Sequence, residues 1–155
     1  MPCASRAVSS CGNYQVSLDC IPEIYQGGDE YITMTILDKN GEAVDLTTIE
    51  ELYLLVYSED STINAIFAYP SETDTGSIEI LQSIGTDDTI LDKGKIKIYI
   101  DSTFSAELIT GKLFGELRMA IPDTTRIGGL HYIFTGCIYL GNVKYSQITN
   151  NSING

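Results

Sequence analysis

The sequence contains no Trp, one His and only nine Lys or Arg in 155 residues, and each scarcity removes a class of function. With a single imidazole, any Ser-His-Asp arrangement, histidine general base or histidine metal site would have to use His131. Its setting, Gly128-Gly129-Leu130-His131-Tyr132, is a loop running into a strand. The two glycines suit a turn there, because no helix with a following Lys-Ser/Thr is present to cradle phosphate. Nine bases against 21 acids give a formal net charge of −12, which disfavours a nucleic-acid partner bound by neutralising phosphates. No apolar run is long enough to span a bilayer, so no membrane partner is expected. The absence of Trp also counts against a glycosidase, whose sites are commonly built on such rings. No catalytic residue, metal ligand or cofactor-binding residue is assigned, and the chain is expected not to be an enzyme.

Cysteine is sparse as well. Cys3, Cys11, Cys20 and Cys137 match neither paired zinc knuckles nor a compact disulfide framework. Free thiols made in a reducing cytoplasm are expected, with Cys137 as a small core residue inside an apolar run. The stretch Met1-Pro2-Cys3-Ala4-Ser5-Arg6 lacks the apolar segment of a secretory signal.

What is present is strand after strand. A 155-residue chain with 43% hydrophobic and 19% charged residues can bury one core. Tyr31 to Leu37 alternates with Ile32, Met34 and Ile36 on one face, then meets the turn signal Asp38-Lys39-Asn40-Gly41. Leu52 to Tyr57 is apolar on both sides, as a central strand is. Ala65 to Tyr69 stops at Pro70, and Lys95 to Ile100 points Ile96, Ile98 and Ile100 inward. Leu113 to Ile121 stops at Pro122. Tyr132 to Leu140 is the last strong strand, with Gly141-Asn142 bending the chain into Val143 to Tyr145. One helical turn is predicted after the capping residue Asp101, where Phe104 and Leu108 lie four apart. The sum is an antiparallel β-sandwich with one short helical turn.

The ends differ from the middle. Residues 1-13 are predicted to form an extended N-terminal arm that docks on a neighbouring subunit, 14-148 the sandwich, and 149-155 a polar tail. Tyr14 to Cys20 is expected to be a strand. Between Asn40 and Asp92 there are twelve acids and no Lys or Arg, while elsewhere nine acids balance nine bases. That stretch is either a solvated flank or an acidic docking face. Tyr is abundant, at ten residues, and fits half-buried pleated surfaces and protein interfaces alike. The interface candidates are Tyr14, Val16, Tyr53, Tyr57, Tyr99, Glu50, Glu51, Asp87 and Asp88. The carboxylate pairs Glu50-Glu51 and Asp87-Asp88 are adjacent in sequence, and neighbouring side chains on a strand diverge, so neither is an acid/base dyad.

From Tyr25 to Tyr145 the sequence resembles the N-terminal immunoglobulin-like domain of phage baseplate upper proteins and related phage virion structural proteins. The resemblance rests on Gln26-Gly27-Gly28-Asp29 before a strand, Leu37 to Thr47 as turn and strand exit, Leu52 to Tyr57, Gly94 to Ile100, and Gly111 to Arg118. It implies an immunoglobulin-like sandwich acting as a non-catalytic adaptor, made in the host cytoplasm and located in the virion. Its partners would be other virion proteins, from capsid, fibre or tail, and a homodimer or homotrimer is expected. The sequence departs from the family in the acidic, turn-rich insertion from Ser71 to Asp92 and in having ten residues after Tyr145, where the family commonly continues into a fibre-forming region. A position on the capsid, at the base of a head fibre, or in a tail or baseplate anchoring receptor-binding proteins therefore stays open. The alternative of another class is a carbohydrate-binding β-sandwich module.

Overall fold

Alternation of apolar and polar residues, seen in the sequence for the longer strands, builds two facing sheets. The computed structural model describes residues 14–70, 76–135 and 137–145. The expected arm at 1-13 and the tail at 149-155 lie outside the described residues. The small sheet contains β1 (Gln15–Leu18), β3 (Glu30–Leu37), β10 (Lys95–Ile100) and β7 (Glu79–Ile80), in the order β1-β3-β10-β7 and antiparallel throughout. The large sheet runs β2 (Glu23–Tyr25), β13 (Ile138–Lys144), β11 (Gly111–Pro122), β4 (Glu51–Ser58), β5 (Ile63–Tyr69) and β6 (Gly76–Ser77), with β12 (Leu130–Phe134) also paired to β11. Most of its pairings are antiparallel; β2 joins β13 and β6 joins β5 in parallel. β8 (Ser83–Ile84) and β9 (Ile90–Leu91) form a separate small hairpin. The molecule is an all-β sandwich, as the strand pattern requires.

The core lies between the sheets. Ile32, Met34, Ile36, Ile96, Ile98 and Ile100 from the small sheet meet Leu52, Leu54, Val56, Phe67, Leu117 and Met119 from the large one, all essentially inaccessible to water. Each such side chain contributes about 1.5–3 kcal/mol through burial, and the sheets derive their attachment chiefly from it. Residues 76–80 pass from β6 in one sheet to β7 in the other with Ile78 buried between, closing one side of the sandwich.

The chain between Tyr132 and Leu140 is not one strand, contrary to expectation. Arg118 faces Phe134 while Gly115 faces Ile138, so the partner of β11 carries one extra residue between those pairs. Thr135 holds the break: its N–H donates to the Leu117 carbonyl at 2.9 Å, and its hydroxyl oxygen accepts the Leu117 N–H at 3.0 Å. Gly141 is likewise part of a bulge inside β13 rather than a bend that ends a strand. Leu113 faces Gly141 while Phe114 faces Tyr139, and Gly141 has φ +150°, where an added Cβ would lie 2.7 Å from the Pro22 carbonyl oxygen. Each extra residue reverses which side chains face inward. Tyr132 and Phe134 are therefore exposed, whereas Ile138, Leu140 and Val143 are buried.

Two polar clasps tie loops to this frame. Gln82 Oε1 accepts the N–H groups of Leu46 at 2.9 Å and Gly94 at 3.0 Å, while its Nε2 donates to Asp45 Oδ1 and Thr47 Oγ1. The helix α1 (Ser102–Ala106) is the predicted turn, with the Asp101 carboxylate accepting the Phe104 N–H at 2.8 Å. Its buried Ser105 donates its hydroxyl to the Gly28 carbonyl at 2.6 Å and accepts the Gly27 N–H at 3.1 Å; Gln26 Nε2 donates to the Leu108 carbonyl at 2.7 Å. The Gln26-Gly27-Gly28 segment is thus where the β2–β3 connection docks on α1.

The cysteines depart from expectation in the pairing of Cys20 and in the position of Cys137, while the Cys137 thiol is free as expected. Cys20 is disulfide-bonded rather than a free thiol, so spacing along the sequence did not reveal it. A disulfide needs two nearby β-carbons and no particular interval along the chain. Cys137 is free and exposed rather than a core residue, because the extra residue of the bulge turns it outward.

Two substitutions test this account of stability. Leu54→Ala is expected to lower the unfolding free energy by about 3 kcal/mol in chemical denaturation, with Tyr99→Ala, on the outer face, much milder. Ser105→Ala leaves Gly27 N–H and Gly28 C=O without their partner and is expected to cost about 1–3 kcal/mol in the same measurement.

Candidate interaction surface

The outer faces of the two sheets differ in chemistry. On the small sheet, Tyr31 and Tyr99 pack at 4.7 Å between ring centroids, with Lys97 Nζ 4.7 Å from the Tyr31 ring. Lys97 also pairs with Glu79 at 3.6 Å and Lys95 with Asp19 at 3.4 Å. Hydrogen bonding to the Asp29 carboxylate raises the Tyr99 hydroxyl above its usual value of 10.0. This is a solvated face with internally paired charges.

The large sheet presents rings and aliphatic groups instead. Alternation on β4 directs Tyr53, Leu55 and Tyr57 outward, and on β11 it directs Phe114, Glu116 and Arg118 outward beside them. β5 adds Ile66, β12 adds Tyr132 and Phe134, and β13 adds Tyr139. Tyr57 stacks on Phe114 at 5.9 Å, and Phe114 meets Tyr139 at 5.9 Å. Phe134 is 61% exposed, Tyr132 47% and Ile66 41%, in one contiguous region. A shallow pocket of about 270 Å³ opens among Tyr53, Leu55, Ile66, Glu116, Arg118 and Phe134. Such an apolar area on a water-facing sheet is the usual mark of an interaction site.

Arg118 is the polar centre of this face. Its guanidinium carbon lies 4.7 Å from the Tyr53 ring centroid and 5.3 Å from that of Tyr132, and Nη2 is 3.5 Å from Glu51 Oε1. Its Nε is buried and makes no hydrogen bond among the described residues. A buried donor left unmet is costly, while the rest of the guanidinium stays open to solvent.

The predicted candidates scatter over the molecule. Tyr53, Tyr57 and Glu51 belong to the large-sheet face, and Glu50 is exposed immediately before it. Tyr99 is exposed on the opposite side of the sandwich. Val16 is fully buried, so its side chain serves the core and has nothing to offer a partner. Tyr14 packs against that core and bridges Thr135. Asp87 and Asp88 sit in the turn between β8 and β9, where Asp87 accepts the Thr89 N–H. Sequence reasoning missed Arg118, Phe134, Tyr132 and Ile66. Alternation would have placed Arg118 outward with Phe114, but the ring neighbours depend on strand order.

His131 lies half-buried in β12 opposite Ile121. Gly128 and Gly129 have φ of +87° and +75° and form the turn before it, closed by Asp123 N–H to the Gly129 carbonyl at 2.8 Å. Among the described residues no three His, Cys, Asp or Glu side chains come together to hold a metal ion.

Three acids of the 40–92 stretch are local turn formers. Asp45, Asp60 and Asp87, and Asp123 beyond it, each accept hydrogen bonds from the Thr two residues later, and this lowers each carboxyl below its usual 3.8. A depressed folded pKa contributes stability that is present above the unfolded value and lost as pH falls through the folded one. Carboxylate NMR titration is expected to place these four midpoints below 3.8, with the Thr amide shifts following the same curves. Midpoints at or above that value would refute the turn hydrogen bonds in solution.

No protein-family model and no curated protein matches this chain.

Proposed function

We propose that the chain is a non-catalytic β-sandwich module that joins other proteins in a phage particle, as an adaptor or attachment protein on the capsid or at the base of a head fibre. The observation that supports a binding role most directly is the outer face of the large sheet, where Phe134, Tyr132 and Ile66 remain exposed around an Arg118 with an unmet donor. The phage setting rests on the sequence resemblance. Its Gln26-Gly27-Gly28 segment is a structural tie to α1, which fits a scaffold role for that motif.

The carbohydrate-binding alternative draws on the same exposed rings. The aliphatic groups of Leu55 and Ile66 set among those rings favour a protein partner, since sugar hydroxyls require more hydrogen-bonding groups than this face offers. Mass spectrometry of purified particles of the phage that encodes the chain is expected to find it as a stoichiometric component. Its absence from particles, or saturable binding to a glycan array, would overturn the virion reading.

A further inference from the structure

The face around Arg118 is set apart by its apolarity, and the charges on its two central strands balance. The whole chain carries −12, yet the outward charged residues of β4 and β11 here are Glu51, Glu116, Lys112 and Arg118, which cancel. Two copies of so acidic a chain repel one another over most approaches, and repulsion is least where a face is neutral. The apolar part of the same face supplies the burial that association requires.

We propose that this face is a homodimer interface, in which a second copy of the chain packs sheet to sheet about a two-fold axis and the partner subunit's Glu116 meets Arg118. The proposal rests on the reading that the chain works through protein contacts, and it names one of the partners. In a two-fold interface a residue i that meets j also has its j met by i, so one contact serves both subunits. Glu116 and Arg118 are outward neighbours on β11, about 7 Å apart along the strand. A symmetric partner brings a carboxylate to the exposed part of each Arg118 guanidinium and a guanidinium to each Glu116. An unrelated acidic partner would satisfy Arg118 and leave Glu116 facing another acid.

The dimensions are adequate. Four strands at about 4.8 Å spacing and eight residues at about 3.3 Å rise give the face roughly 500 Å². Two copies would bury about 1,000 Å² or more, which reaches the scale of a specific interface. Tyr53, Tyr132 and Phe134 around the ion pair would exclude water from it, as the surroundings of strong interface contacts do.

Sedimentation equilibrium on the full chain tests this, with circular dichroism confirming that each variant is folded. The unaltered chain is expected to be a dimer. Glu116→Arg places two cations together across the axis and Arg118→Glu places two acids together. Each is expected to raise the dimer dissociation constant at least about tenfold. The double variant Glu116→Arg/Arg118→Glu restores opposite charges in reversed order and is expected to recover the dimer. Phe134→Glu, at a position already exposed in the single chain, should be folded and monomeric. A wild-type monomer up to about 100 μM, where an interface of this size is populated, overturns the proposal. So does a dimer that all four variants leave unchanged. A monomer that is nonetheless found in particles overturns this interface while leaving the virion role standing, and a dimer absent from particles does the reverse.

Discussion

Pairing along both edges of β11 is the constraint on which the rest of the structure depends. On one edge it is matched to β4 without interruption from Leu113 to Ala120. On the other it is matched to the chain that runs from Leu130 in β12 to Val143 in β13, which is longer than the Gly111 to Pro122 stretch it faces. A ladder with unequal numbers on its two sides must bulge, and each bulge changes the inward set of side chains. The inward set of β11 itself, Leu113, Gly115, Leu117 and Met119, stays in strict alternation and fixes the core. Gly115 is part of that constraint, because an added Cβ would lie 3.0 Å from Leu140 Cδ1 and 3.1 Å from Leu54 Cδ1. Any side chain there would push the two leucines apart where the strands on either side of β11 come together.

The bulges explain which parts of the molecule were legible in the sequence. β3, β4 and β10 follow period two without exception, and their buried residues are the ones alternation selects. α1 was legible for a different reason, since Asp101 caps it and Leu108 anchors its exit. Tyr132 to Leu140 was legible only as β-forming sequence. Strict alternation would put Phe134 and Ile138 on the same face, whereas the structure exposes one and buries the other. A bulge held by Thr135 leaves no compositional mark, because a Thr in a strand is unremarkable. The misplacement of Cys137 has the same origin.

Long-range polar contacts were illegible for a further reason. Gln82 fastens Leu46 and Gly94 across separations of 36 and 12 residues, and Ser105 fastens Gly28 across 77. Nothing local distinguishes these side chains from solvated ones. Their importance comes from the backbone groups they satisfy, which would otherwise be left without partners in partly buried positions. The Gly94 site adds a second restriction: φ is +75° and an added Cβ would lie 2.9 Å from the Ile36 carbonyl oxygen. The acidic stretch contains Gln82 and ends just before Gly94, so part of its sequence is committed to holding the small sheet in place.

Charge and apolarity are distributed so that the two outer faces have different uses. On the small sheet, Lys95 and Lys97 have carboxylate partners within the chain, and the paired tyrosines lie among them. That face gains little from further contact, since exposed ion pairs are weak and already formed. On the large sheet the one ion pair of Arg118 uses Nη2 and leaves Nε unmet, while three surrounding rings and Ile66 hold water away from it. A guanidinium between rings is well placed to meet a carboxylate, because the apolar surroundings strengthen the attraction that water would otherwise screen. The bulge that sends Ile138 inward leaves Tyr132 and Phe134 outward, so the same irregularity that completes the core also completes the face. Removing the extra residue would therefore be felt on both sides of the sheet at once.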